Sequence, residues 1–461
     1  MRVDKATLLA ELETARLRTR ALIASLPEDK LDVPYHPGVN PPLWEMGHAA
    51  FFYEVFVFNL LDGTPSYDPK MDDLWDSFHI DHKERWCRDL FPGREKTLAY
   101  FDTIYDRVAS RIESQALTDR EIYLYRYSIF HQNMHIESII WCRQTVGYPA
   151  VPDFQPERVA PGEALVDKTA EALGDKQGSD AVIPAGRWLI GMPGESEAYA
   201  HEDFAFDNEK PRFEIELPSF TISKLPVSNR EFMAFVEDGG YERPGLWSFG
   251  GRKWLQTEVD VSLAQGESEP LMQTPKQPVY WRRQDGQWQE RLFDRWQLVN
   301  PDAPVVHITY WEAEAWCNWA GRRLPTEFEW EAAALGNRPG EPFNRFPWGN
   351  DPASTQLADL GGRNMAQNPV WDYPAGDSQF GCRQMVGSVW EWTSSQFFPY
   401  DGFKIDVYPF MSTLQFGDHK VARGGGCATS PNLIRGTYRQ AYLAQRNDVY
   451  TGFRTCAISD T

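Results

Sequence analysis

The sequence predicts two joined halves of different construction, an N-terminal four-helix bundle and a larger, loop-dominated α+β domain. Apolar residues recur every three or four positions over residues 1 to about 150, the spacing of amphipathic helices. After the proline-rich stretch "GYPAVPDFQPERVAPGEA" that spacing gives way to short β-like runs, many turns and dense tryptophan. The length of 461 residues also exceeds the size at which one hydrophobic core keeps growing. The expected domains are 1–160 and 161–461.

The first helix is expected in "KATLLAELETARLRTRALIASL". The second runs from the "NPPLWEMGH" turn through "AAFFYEVFVFNLL" and stops at Gly63, and the third is "REKTLAYFDTIYDRVASRIE". A fourth begins where Thr118 and Glu121 stand at capping-box spacing and ends near Gly147. Four such helices make an antiparallel bundle. Beyond residue 180, "AVIPAGRWLIG", "RFEIELPSFTISKLPVS" and "VVHITY" read as strands, and "WEAEAWCNWAGRRLPTEFEWEAAAL" reads as one or two helices. Residues 340–440 show little periodicity and many Gly, Pro and Trp residues, as expected of a loop-rich fold.

Charge and apolar patterning narrow the function classes. With 46 Lys+Arg against 66 Asp+Glu the net charge is −20, which disfavours nucleic acid and anionic lipid as partners. The most apolar run is broken by Glu54 and falls short of the ~20 residues of a membrane span. No signal-peptide pattern opens the sequence, and the 6 cysteines form no CxxC pair. A soluble cytoplasmic protein with free thiols is expected.

The chemistry-bearing motif of the first half is "FHQNMHIES". Positions i and i+4 share a helix face, so His131 and His135 aim at one region of space. Two core histidines are the alternative, since HxxxH is a common spacing. Both lie on a stripe with Leu124, Ser128, Ser138 and Cys142 that faces inward with small polar neighbours. His48, in "PPLWEMGHAAFF", makes a third imidazole available from a facing helix, with His36, His79 and His82 as competitors in turn-like contexts. Three neutral nitrogen donors suit zinc, iron, copper or nickel, and donor type alone does not choose among them.

The second half carries "VSNREFMAFVEDGGY", "PVVHITYWEAEAWCNWAGRRLPTEFEWEAAA", "MVGSVWEWTSS", "ARGGG" and a terminal "GFR". Together these resemble the domain of the formylglycine-generating enzyme, a variant of the C-type lectin fold. Its tryptophans and glutamates are expected to hold the fold. The copper-binding cysteine pair of that enzyme is not reproduced, because "RGGGCATSPNLIRGTYRQ" holds only Cys427, so that activity is disfavoured.

A DinB-like bundle with "MGH" and "FHQNMHIE" ahead of this domain resembles the sulfoxide synthases of ergothioneine biosynthesis and their sister, selenoneine synthase. The resemblance implies non-haem Fe(II) held by His48, His131 and His135 between the two domains. It also implies O2 as co-substrate and a bond from sulfur or selenium to C2 of the imidazole of hercynine, the trimethylated betaine of histidine. Gathering the reactants at one ion makes a three-body encounter intramolecular. In "SSQFFPYDGF", Tyr400 stands where the family keeps a tyrosine that acts on bound oxygen, with Phe397 as the alternative occupant and a packed loop tyrosine as the bland reading. An Asn-Trp-Asp tract of the ergothioneine enzymes is replaced here by Gln440, Ala441 and Tyr442, so Gln440 and Tyr442 become candidate hercynine contacts. A ring such as Tyr442 can hold a trimethylammonium group by cation–π attraction. Thiol-dependent members grip carboxylates with arginines, for which Arg85 and Arg88 are the candidates, with Arg94 nearby. The "LWDSFHIDHKERW" context resembles selenoneine synthases, which implies a selenosugar as the second substrate. The alternatives are a hercynine sulfoxide synthase using γ-glutamylcysteine or cysteine, a zinc-dependent thiol transferase, and a non-enzymatic lectin-like binding module.

Overall fold

The computed structural model describes residues 3–152, 180–194 and 204–458. The expected domain boundary near 160 and most of the proline-rich stretch lie outside the described residues. Helix α1 (Lys5–Ala24) starts at Asp4, whose carboxylate accepts from the Thr7 amide. Helix α2 (Pro42–Tyr53) opens on two prolines, whose missing N–H groups cost nothing in a first turn. It continues into a wide π turn over Glu54–Asn59 and a last turn, Leu60–Asp62, that stops at Gly63 in the left-handed region (φ 64°). Helix α3 (Arg94–Ser114) follows, then α4 (Asp119–Thr145), which begins with the reciprocal Thr118–Glu121 capping box.

Helix α4 is the axis of the molecule. It packs on α1 and α2, and nearly every residue from Glu121 to Thr145 is buried, because its remaining faces meet the C-terminal half. Asn133 donates to Asn432 at 2.9 Å, and the Gln144 side chain pairs with two backbone groups, donating to the Arg291 carbonyl (2.9 Å) and accepting from the Phe293 amide (2.6 Å). Glu137 accepts from Trp390 Nε1 at 2.7 Å and from the Thr429 hydroxyl at 2.8 Å. Burial pushes its carboxyl up to about 7 against both of these donors.

The C-terminal half is built on two four-stranded sheets. Besides a two-residue pair, Val259–Asp260 with Met272–Gln273, its described strands are, in chain order, β1 (Asp180–Ile183), β2 (Gly186–Ile190), β3 (Phe213–Leu217), β4 (Phe220–Ser223), β5 (Trp281–Gln284), β6 (Gln287–Leu292), β7 (Arg295–Leu298), β8 (Arg322–Arg323), β9 (Trp390–Gln396), β10 (Lys420–Arg423), β11 (Arg439–Tyr442), β12 (Thr451–Gly452) and β13 (Cys456–Ala457). One sheet has the order β1-β4-β13-β8, the other β11-β10-β9-β12; β2-β3 and β5-β6-β7 are smaller sheets. In the second large sheet β9 and β12 run parallel and the other pairs antiparallel, which sets Glu391 opposite Arg423 and Gln440 opposite Ala422.

"WEAEAWCNWAGRRLPTEFEWEAAAL" forms two helices, α5 (Tyr310–Ala320) and α6 (Glu327–Leu335), separated at Gly321, again left-handed (φ 65°). "VVHITY" is not the expected strand. Its Thr309 caps α5 reciprocally with Glu312, and this local pairing overrides the β-branched run. Residues of α6 anchor a buried ionic array: Glu327 bonds Arg439 at 2.7 and 2.9 Å, and Glu331 bonds Arg423 at 2.5 Å. Nearby, Glu391 of β9 holds Arg454 at 2.6 and 2.8 Å and accepts from Trp330 at 2.7 Å. No described helix is long and apolar enough to cross a membrane.

Candidate metal centre

Three imidazoles converge where α2 faces α4. The ligand atoms of His48, His131 and His135 all lie within 4.8 Å of one another, and Nε2 of His131 stands 3.1 Å from Nε2 of His135. The four-residue spacing on α4 sets the latter pair side by side, and α2 brings the His48 ring to 4.5 Å from His135 and 5.2 Å from His131.

Protein groups fix the outer nitrogens of two rings. His48 Nδ1–H donates to the Trp75 carbonyl at 2.6 Å, and His135 Nδ1 meets the Glu45 carboxylate. Each leaves Nε2 pointing inward, the arrangement by which a carboxylate or carbonyl orients a ligating histidine. His131 Nδ1 is buried with no hydrogen-bond partner among the described residues, so no outer partner there fixes this ring. Glu45 is itself braced by Ser138 (2.5 Å) and Asn40 (2.9 Å). Burial pushes its carboxyl up, but His135, Ser138 and Asn40 outweigh that and hold it below the usual value. Burial, reinforced by His135 and His131, holds His48 well below the usual imidazole range; burial and His135 do the same for His131. Near pH 7 both rings are neutral. Two inward Nε2 atoms at 3.1 Å share one proton in the metal-free protein or repel through their lone pairs. A cation between them removes that conflict, so the donor set fits a first-row transition metal.

The walls of the site come from both halves. Trp44 stacks on His48 (4.6 Å, 23°), and Phe52 lies 4.7 Å from His48 and 4.4 Å from His131. Tyr408, from the C-terminal half, packs edge-on to Phe52 at 5.0 Å and also meets Phe78. At Gly47, next to His48, a Cβ would stand 2.4 Å from the Trp75 ring, so only a bare backbone fits there.

The model of the DinB superfamily matches residues 11–139, and that of the sulfatase-modifying factor enzyme 1-like domain matches residues 168–458. The chain is 31% identical to hercynine oxygenase of Mycolicibacterium smegmatis, over 98% of this chain and 99% of that protein. The chain belongs to the hercynine oxygenase family. Its likeness to the hercynine oxygenase of Mycobacterium tuberculosis is 30% over 97% of both proteins. The formylglycine-generating enzyme of Thermomonospora curvata is 29% identical and matches 58% of this chain, covering 93% of its own length.

Within the family frame, the other candidate residues fall in separate places. Tyr400 is buried in the core of the C-terminal half: its hydroxyl is 3.4 Å from Glu327, Arg439 lies over its ring at 4.1 Å, and Phe213 and Phe328 pack beside it. It shares no contact with the three histidines among the described residues. Phe397 packs there too, under Arg439. Tyr442 does reach the seam, 6.5 Å from Trp141 of α4, with Gln440 beside its hydroxyl. Arg446, paired with Asp448, already lies over the rings of both Tyr442 (5.7 Å) and Trp141 (5.9 Å). Arg85 and Arg88 line a cleft beside Trp44 with Trp86 and Arg94, and Arg88 is exposed and paired with Asp32. His36, His79 and His82 stand outside the triad; His82 Nε2 meets the Val39 carbonyl instead.

Two phenols nearer the histidines escaped the reading of the sequence. Tyr127 and Tyr408 each carry a buried hydroxyl with no hydrogen-bond partner among the described residues. Tyr127 packs on Phe56 at 4.9 Å, and Tyr408 packs on Phe56 at 5.9 Å. Burial raises both phenols, which keeps them protonated. Tyr127 had a signal in its position, one helical turn before His131.

Proposed function

We propose that this oxidoreductase is a non-haem Fe(II), O2-dependent enzyme that joins a chalcogen to C2 of the hercynine imidazole, with a selenosugar as the second substrate. The observation that carries the reading is the convergence of three imidazoles, two of them with outer nitrogens fixed by Trp75 O and Glu45. Bound there, iron would supply the one-electron chemistry with O2 that zinc lacks.

The chain's own groups define the rest. Phe52 and Trp44 keep the imidazole side dry and apolar, which strengthens any electrostatic contact made inside. Tyr127 and Tyr408 hold undissociated O–H groups beside that wall and are the proton donors we assign in place of Tyr400. At the seam, Gln440 and the Tyr442 hydroxyl stand with the Trp141 indole N–H, which has no partner among the described residues; these donors suit the carboxylate of a betaine. Arg446 over the aromatic faces makes Tyr442 a poor cage for a trimethylammonium group.

A sugar is favoured over a dicarboxylic thiol because Arg88 is engaged by Asp32 and the Arg85 fork is engaged by protein acceptors. The reading with a thiol as second substrate draws on the near full-length similarity to proteins named hercynine oxygenase. Anaerobically Fe(II)-loaded protein given hercynine, then O2 with either a 1-seleno-sugar or γ-glutamylcysteine, separates the two. The carbon–selenium adduct is expected to dominate by mass spectrometry; faster turnover with the peptide overturns the choice of chalcogen. Stoichiometric zinc and indifference to O2 would overturn the iron reading itself.

A further inference from the structure

Arg85 occupies a position that a carboxylate clamp does not need. It sits on the short turn His82–Trp86, opened by a reciprocal Asp81–Glu84 cap. Its Nη1 donates to Asn40 Oδ1 at 2.8 Å, its Nη2 to the Ser77 carbonyl at 3.0 Å, and its plane lies over the Trp44 ring at 4.1 Å. Nη1 and Nη2 each have a protein acceptor and Nε is buried, so the guanidinium is held in place by the protein rather than presented end-on to an incoming carboxylate. Two paths lead inward from these contacts. Asn40, its oxygen held by Arg85, must present its Nδ2 to Glu45 Oε1 (2.9 Å), and Glu45 orients His135. Trp44, covered by the guanidinium on one side, stacks on His48 at 4.6 Å.

We infer that Arg85 is a positioning residue of the metal centre, holding His135 through Asn40 and Glu45 and His48 through Trp44. This rests on the reading of the triad as a metal site. Arg85 locks the amide of Asn40 in one of its two orientations. A flipped Asn40 sets its oxygen against the Glu45 carboxylate and removes one of the two braces, Asn40 and Ser138, on the partner of His135. Arg88, three residues on, touches neither path; it faces Asp32 at the surface.

The test uses the full-length apo protein titrated anaerobically with Co(II), read by its visible d–d absorption, with Arg85→Gln, Arg85→Lys, Asn40→Ala and the double variant Arg85→Gln/Asn40→Ala. Lys83→Gln, on the same turn but directed at Tyr35, is the control. Loss of an outer partner of a ligating histidine typically weakens metal binding about 10–100-fold. That loss is expected in Arg85→Gln and Asn40→Ala, with an altered d–d band and an apo melting temperature close to that of the wild type. Arg85→Lys is expected not to rescue, because an ammonium lacks the planar fork. The double variant is expected to be weaker than Asn40→Ala only by the part carried through Trp44, and not by the product of the two single effects. Wild-type affinity in Arg85→Gln, or full rescue by lysine, overturns the positioning role alone. A wild-type protein that takes up no Co(II) overturns the metal site and this inference together.

Discussion

Two buried polar clusters, one in each half, differ in how their atoms are satisfied. In the C-terminal half every carboxylate of the array has its cation: Glu327 with Arg439, Glu331 with Arg423, Glu391 with Arg454 and Glu209 with Arg435. Charges removed from water at a cost of several kcal/mol per ion are balanced internally, so the array holds one arrangement of the fold. At the α2–α4 contact, three imidazole rings turn their inner nitrogens toward one another while the protein engages two of the outer ones. Burial is similar in the two places. The difference lies in where the unmatched atoms point.

That contrast can be broken at either end. The largest effect is expected from His131→Ala, which removes an inward nitrogen. Bound metal, measured by elemental analysis, falls to a trace, and turnover drops by about 10³ or more, equivalent to about 4 kcal/mol of barrier. Its denaturation midpoint is expected to move much less than that of Glu391→Ala. The latter strands the fully buried Arg454 and should cost about 3–5 kcal/mol in chemical denaturation. A stable Glu391→Ala protein would show that the array is not what holds this half.

A third measurement sharpens the boundary between the halves. Glu137 has its folded pKa raised to about 7 from an unfolded value near 4.5, so the folded state favours the protonated acid. Its contribution to stability is complete below pH 4.5 and is lost as pH rises to about 7. Glu137→Gln keeps an acceptor for Trp390 and removes the titration. The fall in stability between pH 5 and pH 8 is expected to shrink by about 1–3 kcal/mol. An unchanged pH profile means that the carboxylate is ionised in place and stabilised by Trp390 and Thr429. The smallest effect is expected from Tyr400→Phe, which loses a 3.4 Å contact with Glu327: under about 1 kcal/mol of stability, with turnover nearly unchanged. A large loss of turnover there would move Tyr400 from the ion-paired cluster to the reactive one.

The helix ends and the histidine pair were legible because each is a local rule. Thr118 and Glu121 form their cap within one turn, Gly63 stops α2 in the left-handed region, and the spacing of His131 and His135 is that of one helix face. His48 was one of four candidate third imidazoles, offered by a facing helix of the bundle, and the family resemblance singled it out. What escaped depends on contacts between distant segments. Glu45 reads as an ordinary helix acid until α4 brings His135 to it, and Tyr408 reaches Phe52 from the other half. "VVHITY" misled because β-branching and capping compete over the same residues, and Thr309 with Glu312 won. The amphipathic signal of α4 was blurred by a physical fact, its burial on every side.

The glycine before His48 has a consequence for how this centre tolerates change. The indole of Trp75 closes against the chain at Gly47, and the carbonyl of that tryptophan accepts the proton of His48. Even one methyl group at position 47 would push away the helical turn Asp72–Trp75, which ends 28 residues downstream, and the ring would lose its anchor with it. The reach of the imidazole toward its neighbours is therefore gauged by the thickness of a hydrogen atom.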